Sequence, residues 1–393
     1  MKAPRKILTV FGTRPEIIKL APVIREIEAY PTAFTSVNVT SAQHTDLLYP
    51  FIQLFRIRID HNMKVMEPNQ SLNQVCSRVL SAFDPILEKV QPDLILVQGD
   101  TTTAMAASLA GFHRRIPVGH VEAGLRSGDT HSPYPEEMNR RLVTRLASYH
   151  FAATTQNVST LLAEGVDPKQ VFLTGNPVVD SLQAILQEST ASHEVEELLA
   201  ATEGFKRVIL TTHRRESFGE VLTGNLRVLR EFVDAHGDVM ILFPAHPNPS
   251  VREPAYACLN GHPRIRIIPP LQYHDFVLLL SHAWLIVSDS GGVQEEAPTL
   301  GKPLLILREN TERPEAVECG VARLVGKQPA RLKAMLEEAY MNGSWIGGVK
   351  KITNPFGDGY SSRRIVQVIA EKLDVPLVIP DAVRGWPDRT SGL

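Results

Sequence analysis

The chain has 393 residues, of which 43% are hydrophobic and 21% charged, a composition ordinary for a soluble globular protein. Its length exceeds the size at which a single hydrophobic core stops growing, so we expect two domains. A formal net charge of −2 and a pI of about 6.7 give no electrostatic basis for binding nucleic acid or an acidic membrane surface.

Cysteine usage and apolar runs bear on the compartment. Cys76, Cys258 and Cys319 lie far apart, without a CxxC pair or a metal-binding spacing, so we expect reduced thiols. The apolar run at residues 6–11 is too short for a signal peptide, and no run approaches the ~20 apolar residues of a membrane span. We therefore expect a cytoplasmic protein with no membrane partner.

Short apolar runs alternate with helical patterns along the whole chain, which indicates an α/β fold. We expect strands at residues 7–11, 37–40, 94–97, 117–121, 149–153, 171–174, 208–212, 240–244, 265–268, 285–288 and 304–307. A polar, helix-prone stretch without strand character separates the first six from the last five. Two similar α/β halves are predicted, and ligands of such pairs usually bind in the cleft, at the carboxyl ends of strands.

The first predicted strand runs into a helix that begins with an unusual cation. Thr13 and Glu16 form a capping box around Pro15, and the helix should bury Ile17, Ala21, Ile24 and Ile27. Arg14 stands beside the positive end of this helix, where a cation costs stability. Such a misfit favours an anion site, and Lys19 on the same helix strengthens that interpretation.

Carboxylates follow two later strands of the first half. Asp100 ends the strand at residues 94–97, although it is also a good capping residue for the helix that follows. Glu122 ends the strand at residues 117–121, and Glu136 follows it. Several carboxylates on one rim are what proton transfer on and off a sugar requires.

The second half carries a predicted phosphate site. Residues 290–292 (SGG) link a buried strand to a helix that Gly301 stops, so bare N–H groups face a ligand at the helix N-terminus. Glu295 and Glu296 suit the hydroxyls of a ribose. Arg313 follows the next strand and can reach the phosphate.

Basic residues after the strand at residues 208–212 point the same way. His213, with two adjacent guanidiniums, suits a diphosphate leaving group. For Arg214 or Arg215 taken singly, a solvated basic turn is the better interpretation. His246 is equally consistent with a ligand contact and with a rigid loop.

The absence of several motifs disfavours some classes of enzyme. The chain lacks GxGxxG after the first strand, GxxxxGK[ST] and GxSxG, which disfavours a tightly bound NAD, an ATPase and a serine hydrolase. The remaining histidines lack the spacing of zinc sites, so we predict no metal and no cofactor. At the C terminus, a helix with Ile365, Val368, Ile369 and Leu373 on one face should precede a loose tail at residues 380–393.

Six segments carry a resemblance to a known family. They are residues 11–16 (FGTRPE), 99–103 (GDTTT), 120–126 (HVEAGLR), 213–217 (HRRES), 289–292 (DSGG) and 311–315 (TERPE). In order, over residues 6 to about 373, the chain resembles the bacterial non-hydrolysing UDP-N-acetylglucosamine 2-epimerases. The resemblance implies a GT-B fold, with Rossmann-like domains at residues 1–180 and 181–364 around a central cleft. It also implies that residues 365–393 form a helix crossing back to the first domain, plus a tail.

The family interconverts UDP-GlcNAc and UDP-ManNAc for surface polysaccharide synthesis and usually forms homodimers. By resemblance, substrate contacts fall on Arg14, Lys19, Asp100, Glu122, His213, Leu271, Phe276, Ser290, Gly291, Gly292, Glu296 and Arg313. Phe276 and the backbone at Leu271 would hold the uracil. Catalysis is implied for Asp100, Glu122, Glu136, Arg140 and His213.

Some positions depart from the commonest family pattern. Thr212 stands where a glycine usually precedes the histidine, and Leu271 stands where some members have glutamine. Gln43 and His44 of the family's allosteric region are kept, but residues 45–46 (TD) replace the more usual Arg-Glu or Arg-Gln. The resemblance implies activation by a second UDP-GlcNAc at this region.

The expected chemistry follows from the substrate. No adjacent carbonyl acidifies the C2 hydrogen of GlcNAc, so the anomeric C–O bond should break first, and a carboxylate should then remove the proton to leave 2-acetamidoglucal. A GT-B glycosyltransferase, a hydrolysing epimerase, an epimerase of UDP-diacetamido-uronic acids and a non-catalytic nucleotide-sugar sensor are the alternatives. A non-catalytic sensor would bind UDP-GlcNAc without forming any UDP-ManNAc, which NMR detects.

Overall fold

The computed structural model describes residues 3–42, 45–214, 218–377 and 380. Gln43, His44, Arg215 and nearly all of the predicted tail lie outside this part of the chain. The chain divides into two units. Unit 1 comprises the described residues of Met1–Ser181 and Phe356–Leu393, and unit 2 comprises those of Leu182–Pro355, so the chain passes between the units twice.

Unit 1 is built on one parallel sheet. Its elements in chain order are β1 (Arg5–Phe11), α1 (Arg14–Glu28), β2 (Phe34–Thr40), α2 (Thr45–Leu54), β3 (His61–Asn62), α3 (Leu72–Val90), β4 (Leu94–Gln98), α4 (Thr102–His113), β5 (Val118–Ala123), α5 (Glu136–Leu146), β6 (Tyr149–Ala152), α6 (Thr155–Ala163) and β7 (Val171–Leu173). The helix α7 (Val178–Glu188) then leads into unit 2.

Unit 2 repeats the plan. Its elements are α8 (His193–Ala201), β8 (Lys206–Thr211), α9 (Glu220–Ala235), β9 (Val239–Pro244), α10 (Pro249–Leu259), β10 (Ile265–Ile268), α11 (Tyr273–Ser281), β11 (Leu285–Ser288), α12 (Gly291–Leu300), β12 (Leu304–Ile306), α13 (Pro314–Glu318), β13 (Ala322–Leu324), α14 (Pro329–Met341) and α15 (Ser344–Val349). The last helix, α16 (Ser361–Lys372), belongs to unit 1.

Both sheets have the doubly wound strand order. It is β3-β2-β1-β4-β5-β6-β7 in unit 1 and β10-β9-β8-β11-β12-β13 in unit 2. The order reverses between β1 and β4, and between β8 and β11, and ligands of open α/β sheets bind at such switch points. All eleven predicted strands are confirmed to within a few residues. The apolar pattern did not predict β3 and β13, which have only two and three residues.

The cores form because the central strands are covered on both faces. Every residue of β4 and β5 is buried, as expected of parallel strands between helical layers. In α1, Ile17, Ala21 and Ile24 are fully buried, as predicted. Within the described ranges, no helix combines the length and apolarity needed to cross a bilayer.

The C-terminal helix α16 packs on α1 of unit 1. Ile365 and Ile369 are fully buried, as predicted. The predicted face is wrong in part, since Val368 and Leu373 are only half-buried and Val366 is fully buried instead. The buried face of α16 therefore lies closer to the N-terminus of the helix than the apolar pattern indicated.

Candidate active site

The loop after β1 is fixed by a buried carboxylate. The predicted capping box of Thr13 and Glu16 is present. Glu16 also accepts a hydrogen bond from the Thr101 hydroxyl at 2.6 Å, which ties the loop after β1 to the loop after β4. Burial raises the pKa of Glu16, and four hydrogen-bond donors oppose that rise. Arg14 is exposed at the first helical position, with its guanidinium 5.9 Å from the Phe51 ring centroid.

Asp100, after β4, is gripped by a guanidinium. Nε and Nη2 of Arg140 lie 2.9 Å and 2.7 Å from Oδ2 of Asp100. Arg140 is itself held by Glu137, 3.3 Å away, and Glu137 accepts from the Ser127 backbone N–H at 2.9 Å. Glu137 is fully buried. It was not predicted as a site residue, although its place beside Glu136 in the first turn of α5 was a usable signal.

Glu122 occupies a distorted position in β5. Its φ is +64°, which is uncommon for a side chain other than glycine, and the register with β6 shifts between Val121 and Ala123. Such β-bulges re-aim a side chain and occur next to active sites. The carboxylate forms an ion pair with Lys19 and accepts from Nδ2 of Asn176 at 3.1 Å. Asn176 was not predicted, because it lies 54 residues further along the chain.

The third predicted carboxylate, Glu136, differs from the other two. It begins α5 and is half-buried, and its Oε2 is a buried atom with no hydrogen-bond partner among the described residues. Unit 1 thus places one carboxylate on a guanidinium, one on an ammonium and an amide, and one with an unpartnered oxygen. Groups in such different surroundings can take different roles in acid–base chemistry.

In unit 2, Asp289 organises the loop after β8. Fully buried, it accepts from the Thr212 hydroxyl at 2.7 Å and from the backbone N–H groups of His213 and Arg214, each at 3.1 Å. Its Oδ1 lies 3.2 Å from Nδ1 of His213. Burial raises the pKa of Asp289, but the His213 contacts and the other hydrogen bonds outweigh it and leave the pKa below its ordinary value. Asp289 was not predicted as a site residue, and in the structure it anchors His213.

Two guanidiniums converge on the N-terminus of α12. A Cβ built on Gly291 would lie 3.0 Å from Nη1 of Arg313 and 3.5 Å from Nη2 of Arg214. Ser290 is the N-cap and makes no side-chain capping bond, and Gly292 is exposed. The helix end and two planar cations form a site suited to a diphosphate. The assignment of Arg214 to a solvated turn is therefore corrected.

The predicted role of Glu295 also changes. Its Oε1 lies 2.7 Å from Nε of Arg313, so this carboxylate holds the arginine beside Gly291.

Glu296, one residue on, accepts a hydrogen bond from the Tyr273 hydroxyl at 2.9 Å. Tyr273 begins α11, which carries the half-buried Phe276, and Leu271 lies half-buried just before that helix. The exposed ring of His246 has its centroid 6.3 Å from that of His213.

No metal-binding cluster occurs within the ranges that the structure describes. There, no group of three or more His, Cys, Asp or Glu side chains is arranged to hold an ion. Cys76, Cys258 and Cys319 are all free thiols.

The chain is similar to characterised proteins over most of its length. The family model described as UDP-N-acetylglucosamine 2-epimerase matches residues 25–370. The chain is 44% identical over 369 residues to the UDP-N-acetylglucosamine 2-epimerase of Escherichia coli strain K12, covering 93% of this chain and 98% of the relative.

Solved structures show the same architecture. UDP-GlcNAc 2-epimerase from Neisseria meningitidis, bound to UDP-GlcNAc, matches with a TM-score of 0.86 at 40% identity over 93% of this chain and 100% of that chain. The enzyme from Methanocaldococcus jannaschii, in complex with UDP-GlcNAc and UDP, matches with a TM-score of 0.77 at 33% identity over 93% of this chain and 99% of that one. The predicted α/β class and GT-B fold are confirmed.

Proposed function

Because this chain belongs to the UDP-N-acetylglucosamine 2-epimerase family, we propose that it interconverts UDP-GlcNAc and UDP-ManNAc by inverting C2 of the sugar. The observation that carries the proposal is the set of three carboxylates, Asp100, Glu122 and Glu136, at the ends of neighbouring strands of unit 1 and the helix after them. Solved relatives hold UDP-GlcNAc, which supports this choice of substrate.

The proposed reaction is an elimination followed by an addition. The C1–O bond breaks, and its electron pair leaves with the diphosphate oxygen of UDP. A carboxylate takes the proton from C2, and the C2–H electrons become the C1=C2 double bond of 2-acetamidoglucal. A proton then enters C2 from the opposite face while a diphosphate oxygen of UDP bonds to C1. Atoms and charge balance without any further reactant.

Unit 2 would stabilise the leaving group. Arg214, Arg313 and the N-terminus of α12 face the point where charge develops on the diphosphate, and fixed donors at such a point are usually the largest catalytic term. His213, held by Asp289, would contribute a further donor. Glu296 would bind the ribose, and Phe276 with the Leu271 backbone would bind the uracil.

Unit 1 would move the protons. The reaction requires one group to remove the C2 proton and another to deliver a proton to the other face, and these are drawn from Asp100, Glu122 and Glu136. Arg140 positions Asp100, while Lys19 pairs with Glu122. Arg14 would add a cation next to the diphosphate. We propose that water is excluded from the site while the glycal exists.

The wider setting is proposed on the same basis. The enzyme would act in the cytoplasm as a homodimer and supply ManNAc units for surface polysaccharide. Gln43 and His44 would take part in binding a second UDP-GlcNAc as an activator. Analytical ultracentrifugation tests the dimer, and the dependence of rate on UDP-GlcNAc concentration tests activation, which would make it sigmoidal.

The test of function is an NMR time course of the purified protein with UDP-GlcNAc alone. We expect UDP-ManNAc to accumulate to an equilibrium that is also reached from UDP-ManNAc. Release of free ManNAc and UDP would indicate a hydrolysing epimerase. Binding without turnover would indicate a sensor or a glycosyltransferase lacking its acceptor, and either outcome contradicts the proposal.

A further inference from the structure

A histidine that the proposed mechanism does not use lies directly beneath the Asp100 turn. His120, on β5, is 1% exposed, and its Nε2 lies 2.8 Å from the carbonyl oxygen of Gly99. Because a carbonyl oxygen can only accept, Nε2 carries the proton and Nδ1 is the bare nitrogen. Nδ1 is buried and has no hydrogen-bond partner in the part of the chain that the structure describes.

The surroundings keep this imidazole neutral. Burial is the main cause that lowers the pKa of His120 to about 3, and the neighbouring His150, Arg126 and Arg140 lower it further, against the bond to Gly99. His120 therefore remains a single donor with a fixed tautomer throughout the neutral range. Its side chain is buried, so we look for its role in the bond that it donates to the Gly99 carbonyl.

The bond from His120 falls on a turn whose backbone lies in the left-handed region. Gly99 has φ +69°, and a Cβ there would meet nothing within 4 Å, so the backbone conformation rather than space calls for glycine. The Asp100 carbonyl accepts from Nδ2 of Asn139 at 2.9 Å. The two carbonyls on either side of the Asp100 Cα are therefore each held by a side chain from another element, His120 from β5 and Asn139 from α5.

We propose that His120 is a positioning residue for Asp100, because its Nε2–H bond fixes the orientation of the Gly99–Asp100 peptide and so the direction of the carboxylate. The inference rests on the proposed function, in which Asp100 moves a proton. Arg140 holds the carboxylate of Asp100. His120 holds the peptide group that precedes the Asp100 Cα. Loss of the His120 bond should lower kcat and leave KM nearly unchanged, because the groups proposed to hold the diphosphate do not depend on that bond.

The test compares three variants. His120→Met removes the donor at similar volume, and His120→Gln keeps an N–H at a similar reach. His150→Met is the matched control, because His150 pairs with His120 in the register of β5 and β6 and is also 1% exposed. Assays run below the melting temperature of the least stable variant, and calorimetry gives the Kd for UDP.

We expect His120→Met to lose roughly 10- to 100-fold in kcat, with KM and the Kd for UDP within about twofold of wild type. His120→Gln should recover most of that loss, and His150→Met should stay near wild type. Equal losses in the two methionine variants, or a His120→Gln variant as slow as His120→Met, would overturn the inference.

Crystal structures of the two methionine variants give a readout that does not depend on turnover. A flipped or doubly occupied Gly99–Asp100 peptide in His120→Met alone supports the positioning role. An unchanged peptide in that variant overturns it. If wild-type protein shows no epimerisation, the proposed function fails, and this crystallographic comparison still decides the role of His120.

Discussion

Lys19 and Glu122 form an ion pair in the interior of unit 1, where each side chain is only 7% exposed. The lysine comes from α1 and the glutamate from the bulged end of β5, so the pair joins two elements at the carboxyl edge of the sheet. A buried pair repays its desolvation only while both partners are present. Burial of the charged Glu122 carboxylate, the proposed catalytic group, therefore depends on the ammonium of Lys19.

Replacing one partner should cost more than replacing both. Lys19→Met leaves Glu122 buried without its ammonium, and we expect a loss of about 3 kcal/mol in the free energy of unfolding. Lys19→Met combined with Glu122→Gln should regain most of it, because no unpaired charge remains. Urea denaturation measures both, and neither variant should epimerise. A double variant no more stable than Lys19→Met would refute the energetic role of the pair.

Arg140 should not tolerate a point charge in place of its fork. Arg140→Lys keeps the charge but cannot hold both Asp100 and Glu137, so the carboxylate should shift. We expect kcat to fall on the order of 100-fold. Arg141→Lys is the matched control, since Arg141 contacts the same Glu137 at 3.2 Å from a position 40% exposed. Similar kcat values for the two variants would contradict the role given to Arg140.

Gly291→Ala should weaken UDP binding without destabilising the fold. The new Cβ would lie 3.0 Å from Nη1 of Arg313 and push the guanidinium out of place. Gly343→Ala is the control, because a Cβ there would meet nothing within 4 Å and Gly343 lies outside the proposed UDP site. Calorimetry should show a roughly 10-fold higher Kd for UDP in the first variant, as expected when one charge-assisted bond is lost. Equal Kd values would argue against a diphosphate at Gly291.

His150 should make the fold sensitive to mild acid. Burial, with help from the Arg126 charge, lowers its pKa to about 4, so the unfolded chain binds a proton near pH 6.5 that the folded chain refuses. The contribution of neutral His150 to the free energy of unfolding is complete above pH 6.5 and is lost as the pH falls towards 4. Between pH 7 and pH 4.5 this should lower the free energy of unfolding by about 2 kcal/mol. Urea titrations at both pH values should show a smaller drop for His150→Met than for wild type, and an equal drop would be inconsistent with a buried neutral imidazole.

The strands and their following loops could be predicted because they depend on local pattern. Buried apolar runs located β4 and β11, and the acidic residues that follow them, Asp100 and Asp289, could be read directly from the sequence. The capping box of α1 was likewise local, since its two members are three residues apart. Such features need no knowledge of how distant segments meet.

The partners of the site residues could not be predicted, because they are set by tertiary packing. The positive φ of Glu122 arises where β5 shifts its pairing with β6, and glutamate has no preference for it. Asn176 reaches Glu122 only once β7 and the chain after it have been placed. Arg214 looked like a solvated turn residue because nothing near it in sequence shows that Gly291 leaves room for its guanidinium.

The most direct test of the proposed elimination is an NMR time course in heavy water, starting from UDP-GlcNAc. Removal and return of the C2 proton by carboxylates predicts that UDP-ManNAc forms with deuterium at C2, and that the returning UDP-GlcNAc becomes labelled as well. Epimerisation with the original hydrogen retained at C2 in both sugars would contradict proton transfer through Asp100, Glu122 and Glu136.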